Sequence, residues 1–117
     1  MGRPFRTLRE LEGHLERGEL ESAAALARGL ARERGRPLEL ELTLRFLPLI
    51  AAERPERYDS WALRWLEHWC AELREVATID EAAAVAAALG RIAEHGGAAL
   101  REAQELTEAA RSGLDRL

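Results

Sequence analysis

A chain of 117 residues is long enough for one domain that buries roughly two thirds of its unfolded surface. Its only cysteine, Cys70, excludes an internal disulfide framework. The formal charge of −4 argues against a generally basic nucleic-acid binder.

All seventeen basic residues are arginine, and neither lysine nor asparagine occurs. With alanine, leucine and glutamate also dominant, this reads as the coding bias of a GC-rich bacterial genome rather than as arginines selected for a task. The start, MGRPFRTLRE, carries no apolar run of the signal-peptide kind. The longest apolar stretches, 46-FLPLIAA-52 and 82-AAAVAAAL-89, fall far short of the roughly twenty residues that span a bilayer. A cytoplasmic protein without a membrane segment is the expectation.

Apolar residues recur at helical spacing between glycines and prolines, which predicts an all-α fold of five to six helices. The first helix opens at Thr7, where a hydroxyl and Glu10 three residues on make a capping box, carries Leu8, Leu11 and Leu15 on one face, and stops at Gly18. The second runs over 19–34, with Leu20, Ala23, Ala27, Leu30 and Ala31 inward and Gly35 as its stop. Within it, 18-GELESAAALARGLARERGRP-37 resembles the second helix of a tetratricopeptide repeat in Gly18, Ala23 and the closing Pro37, displaced by two positions. The resemblance implies a protein-interaction scaffold. The aromatic and glycine positions of the repeat's preceding helix are absent, so no binding residues carry over.

The segment 38-LELELTLRFLPLI-50 holds a conflict. Leu38, Leu40, Leu42, Leu44 and Phe46 alternate with polar residues as in a strand, whereas the leucine and glutamate composition favours helix. No second strand exists to pair with, so a helix over 37–53, kinked near Pro48, is the expectation; a strand paired between two copies is the alternative.

Pro55 suits the first turn of a fourth helix, reaching residue 75. After the linker 76-VAT-78, Thr78 and Glu81 form a second capping box, and a fifth helix spans 79–95 with Val85, Leu89 and Ile92 among many alanines. Gly96 and Gly97 end it. A sixth helix over 98–111 buries Leu100, Ala103, Leu106 and Ala110. The helices are expected as three consecutive antiparallel hairpins, a short repeat-like array or bundle. Their second members start near 19, 56 and 98. One domain over 1–117 is expected, with 1–6 and 112–117 as flexible ends.

No catalytic, cofactor or metal site is expected. His68 and Cys70 stand two apart, about 200° on a helix, and so face opposite sides; His68 and Glu72 have the spacing of an ordinary surface pair. No GxSxG or phosphate-cradling glycine loop occurs.

Two groupings remain. Arg28, Arg32, Arg34 and Arg36 cluster at the end of the second helix, with Arg3, Arg6 and Arg9 at the start of the first, a candidate basic patch for phosphates or an acidic partner. In 58-YDSWALRWLEHWC-70 lie all three tryptophans and the only tyrosine. Tyr58, Trp61, Trp65 and Trp69 form one apolar arc, and Ala62, Leu66 and Leu73, with Leu63 and Cys70 beyond, form another. Together they span about 200°, wider than a helix packed on one neighbour needs. Three exposed tryptophans would make a patch of about 500 Å², near the limit for a soluble monomer, so most of the row must be covered.

Tyr58, Trp61, Arg64, Trp65 and His68 are the candidate protein interface if the cover is another molecule. These features favour a non-catalytic interaction module that binds another protein or a second copy of itself. A nucleic-acid-associated regulator using the arginine cluster, or an enzyme or ligand binder with an unrecognised pocket, are the alternatives.

Overall fold

The structure, a computed structural model, describes residues 7–113. Among these residues there is no strand, and nearly all the rest is helix. The all-α expectation holds. Contacts along the chain separate it into two compact units, Met1–Glu39 and Leu40–Leu117.

The first unit holds α1 (Leu8–Glu16) and α2 (Leu20–Arg34), packed on each other. The Thr7 hydroxyl accepts from the Glu10 amide at 3.1 Å, while Glu10 Oε1 accepts from the Thr7 amide at 3.2 Å, so the capping box satisfies two amides that the helix leaves free. Leu11 and Leu15 are buried on the inner face. Gly18 adopts φ 73° to reverse the chain. Helix α2 buries Ala23, Gly29 and Leu30, whereas the expected inward Leu20, Ala27 and Ala31 are half-buried. At its end Gly35 has φ 68°, and the Arg36 amide donates to the Ala31 carbonyl, the 6→1 bond of a Schellman stop. Arg34 Nη1 then meets Glu39 at 3.1 Å.

The second unit begins where sequence reasoning was divided. The expected helix over 37–53 is two: α3 (Leu40–Leu44) and α4 (Phe46–Glu53), separated at Arg45. Residues 37–39 are not helical. The expected kink near Pro48 is a full break three residues upstream, for a simple reason. A proline obstructs the carbonyl four residues before it, and that carbonyl belongs to Leu44, the last residue of α3. Starting a new helix at Phe46 places Pro48 in the first turn, where an amide would have no partner anyway. The alternating Leu38, Leu40, Leu42, Leu44 and Phe46 are all buried. The period of two thus reflects Leu40, Leu42 and Leu44 buried around the short α3, with Leu38 buried just before it and Phe46 opening α4, not a strand.

A 3-10 turn, Pro55–Arg57, leads into α5 (Tyr58–Leu73), followed by α6 (Ile79–His95) and α7 (Gly97–Arg111). The Thr78–Glu81 capping box is present, with the Thr78 amide donating to Glu81 at 2.8 Å and the Glu81 amide to the threonine hydroxyl at 3.1 Å. Gly96 alone joins α6 to α7, at φ 52° and ψ −116°. A connection that short forces an antiparallel hairpin, tied across by Arg91 and Glu102 at 2.6 Å. Helix α5 packs against α3, α4 and α6, α4 also against α6, and α3 against α7. Helix α7 buries Ala99, Ala103, Thr107 and Ala110; Leu100 and Leu106, expected inside, are half-buried.

Candidate functional site

Helix α5 carries the aromatic row, and its polar ring atoms show where each ring goes. The Tyr58 hydroxyl donates to the Leu89 carbonyl of α6. Trp65 Nε1 donates to the Leu40 carbonyl and the Thr43 hydroxyl, both at 3.1 Å. Trp69 Nε1 donates to Thr107 Oγ1 at 3.2 Å, and that hydroxyl donates onward to the Ala103 carbonyl at 2.8 Å. Thr107 is the one buried polar side chain among the described residues. It lets an indole N–H enter an apolar interior without an unpaired donor.

Tyr58 and Trp65 are therefore inside the chain's own packing, each about 6% exposed. Their place in the expected interface is corrected. Both lie on the line of α5 that faces α3 and α6, and each finds its hydrogen-bond acceptor there.

Three of the five expected interface residues stay at the surface. Trp61 is half-buried, Arg64 is exposed with its guanidinium carbon 5.9 Å from the Trp61 ring centre, and His68 is half-buried. On the opposite flank Leu63 is 58% exposed and Cys70 is exposed. His68 and Cys70 stand apart as their spacing requires.

His68 borders a charged network. Its Nε2 lies 3.5 Å from Glu72 Oε1, one turn on. Glu72 Oε2 meets Arg111 Nη1 at 2.9 Å, and Arg111 places Nε and Nη2 on the two oxygens of Glu41 at 3.0 and 3.1 Å. One guanidinium thus ties α7 to both α3 and α5. Its partial burial opposes the charged form, but Glu41 and Glu72 outweigh this and raise its pKa above the ordinary arginine value. Arg111→Ala is expected to cost about 1 kcal/mol in denaturant unfolding, because the partners are part-exposed and screened. Arg111→Lys should recover less than half of that, since an ammonium cannot make the two-pronged contact.

Of the arginine cluster, Arg28, Arg32 and Arg36 are exposed at the end of α2, while Arg34 is engaged with Glu39. Arg9 is exposed on α1, and Arg3 and Arg6 lie outside the described residues. The α1–α2 turn holds a second small network: Glu19 Oε1 lies 2.6 Å from His14 Nδ1 and 3.2 Å from Arg17 Nε. The His14 hydrogen bond, then that of Arg17, holds the Glu19 carboxyl below its ordinary range.

Among the described residues, no three His, Cys, Asp or Glu side chains gather to hold a metal ion, and every fully buried side-chain nitrogen or oxygen has a partner. No helix among them is long and apolar enough to cross a membrane. Comparison with known protein families, with curated proteins and with solved structures gave no match. The likeness of 18–37 to a tetratricopeptide helix thus stays at the three residues that carry it.

Sequence reasoning missed Arg111, Glu41 and Thr107. Arg111 and Glu41 are 70 residues apart, and nothing local links them. Thr107 had a readable signal: it stands four residues after Ala103 on the inward face of α7.

Proposed function

We propose that the chain is a non-catalytic helical interaction module that engages another protein through the Trp61, Arg64 and His68 edge of α5. The observation that carries this reading is the contrast within one aromatic row. Trp65 and Trp69 are inside, with indole N–H groups bonded within the chain, while Trp61 keeps part of its ring at the surface under an exposed arginine. Tryptophan and arginine are the residues most enriched at binding hot spots. A half-buried indole carried on a helix, with a guanidinium within cation–π reach, loses less freedom on docking than a fully exposed one. In this reading the module works in a reducing cytoplasm, where the exposed Cys70 thiol stays free.

The test is affinity purification from the native cell with the wild type and the Trp61→Ala/Arg64→Ala double variant side by side. Specific partners should be lost from the variant while its circular dichroism and melting midpoint stay close to wild type. The same partners at the same yield with both proteins would remove the basis of this reading.

A further inference from the structure

Three guanidinium groups at the end of α2 have no partner of opposite charge in their own chain. Arg28 and Arg32 stand one turn apart on the helix, and Arg36 follows the Schellman stop at the same end; all three are exposed. Among the described residues none of the three forms an ion pair, whereas Arg34, between them, is held by Glu39. Glu33 is the carboxylate next in sequence, but it lies about 100° round the helix from Arg32 and pairs with neither neighbour.

The dipole of α2 does not account for the group. Cations gain from a helix C-terminus within its last turn, which holds Arg32 and Arg34. Arg28 lies a turn further in, and like charges four residues apart on a helix repel. Folding alone would favour a neutral or acidic residue at that position.

We propose that Arg28, Arg32 and Arg36 form a docking surface for an acidic segment of a partner protein, one that presents carboxylates a helical turn apart. Four residues of helix advance about 6 Å, so glutamates at every fourth position match Arg28 and Arg32 in step. The guanidinium fork takes a carboxylate through two parallel hydrogen bonds, which gives such a contact direction as well as charge. Exposed pairs are screened and weak one by one, so the three together act chiefly on the rate and register of docking.

The anion is a protein carboxylate rather than a nucleic-acid phosphate for two reasons. Residues 7–39 contain no phenylalanine, tyrosine or tryptophan on which a base could stack. Residues 40–117 carry fourteen acidic side chains against nine arginines, a surplus that repels a long polyanion, whereas a short acidic segment meets only the local surface.

This goes beyond the α5 reading and uses different residues. Fluorescence anisotropy tests it, with a labelled alanine peptide carrying glutamate at every fourth position and, beside it, a labelled mixed-sequence DNA duplex. The acidic peptide should bind, and bind more weakly as salt is raised. Arg28→Gln/Arg32→Gln/Arg36→Gln should weaken it at least about tenfold, with the circular dichroism of the protein unchanged. Arg57→Gln/Arg74→Gln/Arg101→Gln removes the same charge from other exposed arginines and should change binding by less than about twofold.

No binding of the acidic peptide overturns the proposal, as does an equal loss in the two triple variants. Tighter binding of the duplex than of the peptide to the wild type overturns it too, by making phosphate the ligand. Trp61→Ala/Arg64→Ala should bind the peptide as the wild type does. A loss there would place the contact on α5 and refute the α2 surface.

Discussion

Trp69→Ala is expected to destabilise the protein by about 3–5 kcal/mol, the range for removing a fully buried aromatic side chain. Trp69 is 1% exposed and stands among the largest fully buried side chains. Truncation leaves a cavity against α7 and takes from Thr107 the donor that its hydroxyl accepts. Denaturant unfolding followed by circular dichroism measures this without relying on the fluorescence that the change removes. The informative comparison is with Trp61→Ala, one helical face away. It should cost about 1 kcal/mol or less, because its ring already meets solvent. Equal costs at the two positions would contradict the division of the aromatic row into a covered and an open edge.

The second large effect appears at alkaline pH. Burial, with a smaller contribution from Asp59, pushes the Tyr58 hydroxyl up to about 12 from its ordinary 10.0. The folded pKa lies above the unfolded one, so the contribution to stability is fully present below pH 10. It falls as pH rises from 10 towards 12, because the unfolded chain releases the phenolic proton first. The loss by pH 12 is on the order of 2 kcal/mol. The chain has one tyrosine and no lysine, so this window is unusually clear of other side-chain titrations.

Tyr58→Phe removes the pH dependence and, by losing the hydrogen bond to the Leu89 carbonyl, costs about 1 kcal/mol at neutral pH. The two stability curves should therefore cross between pH 10 and 12. Parallel curves over that range would show that the hydroxyl is not held inside.

What could be read from the sequence follows the range of the interactions involved. The capping boxes at Thr7 and Thr78 and the stop at Gly35 are settled within a few residues, and they appear where the sequence places them. So does α6, whose limits at Ile79 and His95 are both marked by local chemistry.

The break at Arg45 was half legible. Pro48 announced a disturbance, but its steric effect falls on the carbonyl of Leu44 rather than on its own position. The aromatic row was legible as a row and not as two edges. Its acceptors, Leu40, Thr43, Leu89 and Thr107, lie 22 to 38 residues away from the rings they bind. Spacing on one helix shows which residues share a face, and only the neighbouring helices decide how far the cover extends. Thr107 went unread because a threonine counts as outward until an indole needs its oxygen.

The interruption at Arg45 also bears on the unfolded chain. Helices of five and eight residues lie below the length that persists alone in water, so α3 and α4 hold their form only against α5 and its neighbours. When that support is lost, 38-LELELTLRF-46 is released as an extended run with leucine or phenylalanine at every second position, the pattern that joins edge to edge into aggregates. Glu39, Glu41 and Arg45 charge the other side of such a ribbon, and Pro48 ends it by removing a ladder donor. The proline that divides the folded helix is thus also the residue that limits what the unfolded segment can become.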